Sequence, residues 1–181
     1  PVAKSLVFTH SSKKSIDFNS AAAELGSAFF VKPANLGSSV GVAKVCDKGE
    51  FTRAVDEAFS YDRKILLEEC IQGREIECSV LGNDDPIASV PGEILTDAAR
   101  HQFYSYEAKY LDEHGAMLEI PANLPEHITK KVQELSLKTF KTLCCEGMAR
   151  VDSFLTPDNH VVINEINTIP GFTKISMYPK L

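Results

Sequence analysis

The chain has 181 residues, 44% of them hydrophobic and 24% charged, with a formal net charge of −6. That length fits one domain or two small lobes and buries about 70% of its unfolded surface without staples; the composition excludes a disordered chain. No apolar run is long enough for a transmembrane helix, and the acidic balance argues against a general nucleic-acid-binding surface.

In chain order, residues 5–9 predict a strand and 16–25 a helix ending at Gly26. The apolar run 28–32 stops at Pro33, and 40–45 alternates as a strand. Asp47-x-x-Glu50 resembles a capping box ahead of a helix over 51–59, followed by a strand over 64–69 and a turn at Gln72-Gly73. Residues 75–81 and 87–94 read as strands joined by the hairpin turn 82–86. Residues 95–119 have no regular period; so long a loop usually has a function. Pro125 stands where the first helical position belongs, and Ile128, Val132 and Leu135 supply the apolar face of a helix reaching Cys144. Strands over 147–155 and 160–166 flank a turn at 156–159. Strands mixed with single helices and hairpins predict an α+β fold with mostly antiparallel sheets.

Cys46, Cys70, Cys78, Cys144 and Cys145 are odd in number and form no C-x-x-C, so they read as small core hydrophobes in a reducing, cytoplasmic setting. His10, His101, His114, His127 and His160 have no metal-ligand spacing and read as surface residues. No signal peptide is visible and the first residue is not Met, so the chain is expected to start inside a longer protein.

Four segments carry candidate chemistry. In Val31-Lys32-Pro33-Ala34-Asn35-Leu36-Gly37-Ser38-Ser39-Val40-Gly41, a lysine closes an apolar strand ahead of a small-residue loop. Backbone amides, hydroxyls and one cation are what phosphate oxygens need, although neither a Walker A loop nor a dinucleotide fingerprint is present. An ordinary hairpin with an exposed lysine is the competing reading. In Leu66-Leu67-Glu68-Glu69-Cys70-Ile71-Gln72-Gly73-Arg74-Glu75-Ile76-Glu77, acids follow a buried strand and recur after a turn. An ionised carboxylate only accepts hydrogen bonds and so suits a ribose hydroxyl pair, although a solvated strand end is the commoner fate of glutamate.

The third segment joins Ala149-Arg150-Val151-Asp152 to Val161-Val162-Ile163-Asn164-Glu165-Ile166-Asn167. The strand period of two points Arg150 and Asp152 one way, and likewise Glu165 and Asn167. If these strands pair, two carboxylates and an amide oxygen converge as hard ligands for Mg²⁺, with Arg150 beside them to steady a phosphoryl group. A purely structural salt-bridged face is the alternative, yet charges within strands this apolar are costly unless employed. The fourth segment, containing Lys109 and Tyr110 within 95–119, is expected to close over substrate as a lid.

Together these segments resemble the D-alanine–D-alanine ligases of the ATP-grasp superfamily. The most specific stretches are Lys32-Pro33 with Gly37-Ser38-Ser39-Val40-Gly41, Tyr106-Glu107-Ala108-Lys109-Tyr110, Gly147-Met148-Ala149-Arg150-Val151-Asp152, and Asn164-Glu165-Ile166-Asn167-Thr168-Ile169-Pro170-Gly171. The resemblance runs over almost the whole chain. It implies an ATP-grasp fold of two α+β lobes enclosing the nucleotide: 1–70, with the phosphate loop 32–41, and 71–181, with the lid 95–119 and the metal site. The family's N-terminal domain and last helix lie outside these residues, and the fragment alone is expected to be inactive or nearly so.

The resemblance also implies residue roles. Lys32 would contact the ATP phosphates and Lys109 would reach them from the lid. Glu68 would meet the adenine amino group, Glu69 and Ile71 would line the purine site, Phe103 would pack on the base, and Glu75 would hold the ribose. Asp152, Glu165 and Asn167 would hold two Mg²⁺ ions, with Mn²⁺ as a substitute. Arg150 and the backbone of Gly171 would stabilise the tetrahedral intermediate. Ser38 and Tyr110 would position the first D-alanine, and Ser176 and Met177 would sit by the second. The implied reaction is ATP-dependent joining of two D-alanines through an acyl phosphate, for peptidoglycan synthesis and the cell wall, in the cytoplasm. No membrane or nucleic-acid partner is implied, and the full-length protein would be a homodimer. In this family a tyrosine at position 110 goes with D-alanine as second substrate. The alternatives are a D-alanine–D-serine or other carboxylate–amine ligase, and more distantly a non-catalytic ATP-binding module.

Overall fold

A computed structural model of the chain describes residues 1–96 and 116–181. They form two compact units: a first lobe of residues 3–71, and a second lobe of 1–2, 72–96 and 116–181.

The first lobe is a sheet of β1 (Ser5–Thr9), β2 (Phe29–Pro33), β3 (Ala43–Val45) and β4 (Lys64–Glu69), in the order β1-β4-β2-β3 and antiparallel throughout. Helices α1 (Phe18–Leu25) and α2 (Lys48–Tyr61) supply the residues that complete its core. Alternation decides which face is covered. Phe29 and Val31 of β2, Val45 of β3, and Ile65 and Leu67 of β4 are fully buried, in one cluster with Phe51, Ala54, Val55, Ala58 and Phe59 of α2. Each such large side chain contributes about 1.5–3 kcal/mol by leaving water. The rings of Phe18, Phe29 and Phe51 meet at centroid distances of 5.6–5.7 Å.

Three expectations for this lobe shift. Helix α1 begins at Phe18 and not at Ile16, because the Asp17 carboxylate takes the N-cap and accepts from the Ser20 amide at 2.9 Å. At α2 the Asp47 carboxylate accepts from the Glu50 amide at 2.8 Å, while Glu50 reaches back to the Cys46 amide at 2.9 Å, one residue beyond a strict capping box. The strand expected over 40–45 is only Ala43–Val45. Ser38, Ser39 and Gly41 have φ of 56°, 58° and 70°, so the left-handed coil of the loop runs on to Gly41, where alternation suggested extension. Gly41 is required there: a Cβ would lie 2.7 Å from Cδ2 of Tyr61 and 2.9 Å from Cγ of Pro33.

The second lobe contains β5 (Arg74–Gly82), β6 (Ile87–Ala88), β7 (Gly92–Thr96), β8 (Ala116–Glu119), β9 (Gly147–Leu155), β10 (Val161–Asn167) and α3 (Glu126–Thr142). The antiparallel order is β10-β9-β5-β7-β8, with β6 also pairing β5. Ile76, Cys78 and Val80 of β5 and Ala149 and Val151 of β9 share buried clusters with Ile128, Val132 and Phe140 of α3. The polar residues Glu75, Glu77, Arg150 and Asp152 occupy the alternate positions, hence the opposite face.

The strand expected over 87–94 is two pieces, β6 and β7, parted around Val90-Pro91, where proline has no amide to donate. The stretch expected to be irregular over 95–119 begins inside β7 and ends in β8. Pro125 is the N-cap of α3 and not its first residue. Of the cysteines only Cys78 is a buried core residue; Cys46 and Cys144 are exposed and Cys70 and Cys145 half-buried, all as free thiols. Burial pushes the Cys78 thiol up, as suits an inert core residue. Among the described residues no helix is long and apolar enough to cross a membrane.

Candidate functional site

The strands β9 and β10 meet as the sequence suggests, with one irregularity that sets the site. Ile163 pairs with Ser153, but the next pairing is Glu165 with Asp152, then Ile166 with Val151 and Asn167 with Arg150. Asn164 is the extra residue of a β-bulge. Before it, Val161 and Ile163 are buried; after it, Ile166 packs on the core and Glu165 and Asn167 sit opposite Asp152 and Arg150. A regular strand would have put Ile163 and Glu165 on one face. The bulge keeps the apolar residues inside and the polar ones out.

Arg150 is the centre of this face. Its Nε donates to Oδ1 of Asp152 and its Nη2 to Oδ2, both at 2.7 Å. Oε2 of Glu77 lies 3.0 Å from the same Nε. Glu77 is buried in β5, opposite Asp152 across the β5–β9 ladder. Burial opposes the charge on Arg150, but the hydrogen-bonded Asp152 and the fields of Asp152, Glu77 and Glu165 outweigh it and hold the guanidinium well above its ordinary value. One guanidinium thus faces three carboxylates. Sequence reasoning proposed Arg150, Asp152, Glu165 and Asn167 for this cluster; Glu77 it missed. The signal was a glutamate at the alternate position after Glu75 in an otherwise apolar strand.

Beyond β10 the chain turns back on itself. A Cβ on Gly171 would lie 2.8 Å from Oγ of Ser176. That hydroxyl also accepts from the Thr173 amide at 3.0 Å and lies 2.8 Å from the Thr173 hydroxyl. Gly171 and Ser176, proposed separately from the sequence, are therefore neighbours. Met177 is buried, with its sulfur where a Cβ on Gly92 of β7 would come within 2.8 Å. Tyr178 ties the segment to β5 through its hydroxyl, which donates to the Val80 carbonyl at 3.1 Å.

In the first lobe Lys32 projects from the sheet face opposite the core and forms an ion pair with Glu68 at 2.5 Å, both side chains being about four-fifths buried. The loop that follows is pinned by Asp62, whose Oδ2 accepts from the amide and the side chain of Asn35, each at 2.8 Å. Ser38 is exposed and Ser39 half-buried. The Glu69 carboxylate accepts from the Lys4 amide at 2.7 Å and so holds the start of the chain. Ile71 is half-buried at the lobe's last position, and Glu75 is half-buried in β5 of the second lobe, paired with Phe154 and Ile94. Phe103, Lys109 and Tyr110 lie outside the described residues.

A family model described as "D-ala D-ala ligase C-terminus" matches residues 1–181. The chain belongs to the D-alanine–D-alanine ligase family. It is 59% identical over 180 residues to a D-alanine–D-alanine ligase of Shouchella clausii, and 52% identical to D-alanine–D-alanine ligase A of Escherichia coli. It covers 48% and 49% of those two sequences, so the chain spans about half the length of the curated relatives it matches. Among solved structures, the D-alanine–D-alanine ligase of Coxiella burnetii superposes with a TM-score of 0.82 at 41% identity, over 99% of this chain and 46% of that one. A D-Ala:D-Ser ligase of Enterococcus faecalis superposes with a TM-score of 0.85 at 37% identity, over 98% of this chain and 50% of that one. The fold is the α+β ATP-grasp fold of these ligases, with antiparallel sheets.

Two carboxylates and an amide on one strand pair are hard oxygen donors, a set that suits Mg²⁺ or Mn²⁺. The surplus of carboxylates around Arg150 also suits a divalent cation. The residues present therefore fit the metal. Among the described residues no three His, Cys, Asp or Glu side chains stand together as metal ligands, and Arg150 sits among the carboxylates that would.

Proposed function

We propose that the protein containing this chain is an ATP-dependent carboxylate–amine ligase that joins two D-alanines into D-alanyl-D-alanine for the cell wall. The observation that carries the reading is the arginine-centred face of β9 and β10, with Asp152, Glu165 and Asn167 in register around Arg150, in a chain of this family.

In this reading the carboxylate of the first D-alanine attacks the γ-phosphorus of ATP, ADP departs, and an acyl phosphate forms. The amine of the second D-alanine then attacks the acyl carbon, and phosphate departs. Lys32, and Lys109 from the lid, bind phosphate oxygens. Glu68 accepts from the adenine amino group, Glu69 and Ile71 line the purine site, Phe103 packs on the base, and Glu75 holds the ribose hydroxyls. Asp152, Glu165 and Asn167 would hold Mg²⁺, which would neutralise charge on the phosphate oxygens. Arg150 stabilises the charge that builds up during transfer, together with the backbone of Gly171. Ser38 and Tyr110 position the first D-alanine, and Ser176 and Met177 the second. The lid over 95–119 keeps water from the acyl phosphate. The working protein is a cytoplasmic homodimer.

A second reading, D-alanine–D-serine ligation, is kept by the presence of a D-Ala:D-Ser ligase among the similar structures, with a TM-score of 0.85 beside 0.82 for a D-alanine–D-alanine ligase. The backbone does not discriminate the acceptor. The identity of 59% to a named D-alanine–D-alanine ligase and the tyrosine at position 110 favour the first. The deciding assay is phosphate release from MgATP by the full-length protein, with D-alanine alone or paired with D-serine or D-lactate. Release with D-alanine alone is expected. Release only with D-serine would move the assignment to the second reading, and ATP binding without release under any condition would overturn both.

A further inference from the structure

The contact between Arg150 and Asp152 competes with the roles both have in the proposed reaction. Both oxygens of Asp152 accept charge-assisted hydrogen bonds from Arg150, at 2.7 Å each. Such bonds take up two of the carboxylate's roughly four acceptor sites, and the guanidinium charge opposes an incoming cation. Yet Arg150 needs an anionic partner if Asp152 turns away, because a half-buried cation without one is costly.

Glu77 supplies that partner. Its Oε2 is already 3.0 Å from Nε of Arg150, while the hydrogen bond from that nitrogen goes to Asp152. Glu77 stands directly across the ladder from Asp152, and Ser79 directly across from Arg150, so β5 presents its carboxylate to the same guanidinium from the far side. Its side chain is 6% exposed, on a strand whose neighbours Ile76 and Cys78 are core residues. A carboxylate in that setting persists only with a charged partner.

We propose that Glu77 is a positioning residue that takes over the Arg150 guanidinium, so that Asp152 is released to the divalent metal. The hand-over needs little motion, since donor and new acceptor are already at ion-pair distance. It also leaves Arg150 fixed on β9 and facing the phosphoryl group, with its charge balanced by a residue that does not ligate. The inference rests on the metal assignment of the proposed function.

The test is a titration of Mn²⁺ into the full-length protein with ADP present, read by the loss of the free-ion electron paramagnetic resonance signal. It is run on the parent protein, Glu77→Gln, Arg150→Met and the double variant. Glu77→Gln is expected to raise the Mn²⁺ dissociation constant about tenfold, the usual scale for losing a group that orients a ligand. In the Arg150→Met background the same change is expected to move it less than twofold, because there is no guanidinium left to hand over. An equal effect in both backgrounds would mean that Glu77 acts only as a distant charge and would overturn the proposal, as would no effect in either. Failure of the parent protein to take up Mn²⁺ would overturn the metal assignment first and this inference with it, whereas uptake without coupling overturns this inference alone. If Glu77→Gln does not fold, Glu77→Asp keeps the charge but shortens its reach by one methylene. It is expected to weaken Mn²⁺ at least threefold, and unchanged affinity would overturn the proposal.

Discussion

Two arginines on opposite faces of the second-lobe sheet make the same fork-shaped contact to different ends. On the helix-facing side, Nε of Arg74 donates to Oε1 of Glu93 at 2.7 Å, and Nη2 of Arg74 donates to the other carboxylate oxygen. The same Nη2 also donates to the Asn123 carbonyl at 3.0 Å, and Glu119, the carboxylate across the ladder from Glu93, accepts from the Asn123 amide at 3.4 Å. The Arg74 cluster thus closes on the backbone that leads into α3, and its work is to hold that entry. On the other face Arg150 repeats the fork with Asp152, but Glu77 and Glu165 add their fields to the same guanidinium. The Arg74 fork ends on backbone and faces two carboxylates, Glu93 and Glu119, whereas the Arg150 fork faces three and is the one that the proposed function gives to a cation.

The comparison can be broken at several points. Glu165→Gln is expected to lower phosphate release by the full-length protein about a thousandfold, of the order seen for loss of a preorganised electrostatic group, with thermal unfolding nearly unchanged. Wild-type turnover would remove Glu165 from the metal set. Arg74→Met is expected to do the reverse. It should cost about 2–3 kcal/mol in denaturant unfolding, somewhat less than a fully buried pair because Arg74 is partly solvated, while turnover per folded molecule stays unchanged. Lost turnover at unchanged stability would erase the distinction between the two forks. In the first lobe, Lys32→Ala is expected to weaken ATP binding by about 1.5–3 kcal/mol, measured by calorimetry. Unchanged affinity would move the phosphate site away from the loop after β2.

The smallest effect is expected at Asp62. Desolvation works against its charge, yet hydrogen bonds from Lys64, Asn35 and Arg63 hold its carboxyl below the usual 3.8. A lowered folded value means that its stabilising contribution is present above the unfolded value and is lost as pH falls through the folded one. Thermal unfolding of Asp62→Asn should therefore decline less than that of the parent below about pH 4, by the linkage of proton binding to folding. Parallel declines would show that the Asn35 contact does not select the ionised form.

Much of this architecture is legible in the residues. The bounds of β1, β4 and β9 are read from the sequence to the residue, and in β4 and β9 the buried residues fall at every second position, on the core-facing side. The convergence of Arg150, Asp152, Glu165 and Asn167 follows from the same period of two. What alternation does not reveal is where it slips. The bulge at Asn164 leaves only a faint trace, apolar residues at 161, 163 and 166, and the left-handed turn that starts at Ser38 and Ser39 runs on through Gly41, inside the stretch 40–45 that alternates as a strand. Glu77 looked like a solvated strand end because a glutamate's fate depends on which strand lies across from it. The pairing of β5 with β9, some seventy residues apart, decides that.

The bulge has a further consequence for anyone redesigning this surface. Glu165 already pairs with Asp152 and Asn167 with Arg150, so deleting Asn164 would leave every cross-strand partner after it unchanged. What the extra residue contributes is local bend and twist, hence the direction in which Glu165 and Asn167 project. Position 164 is therefore a trim point: strand connectivity and side-chain aim are separately adjustable there, and one codon alters the second while sparing the first.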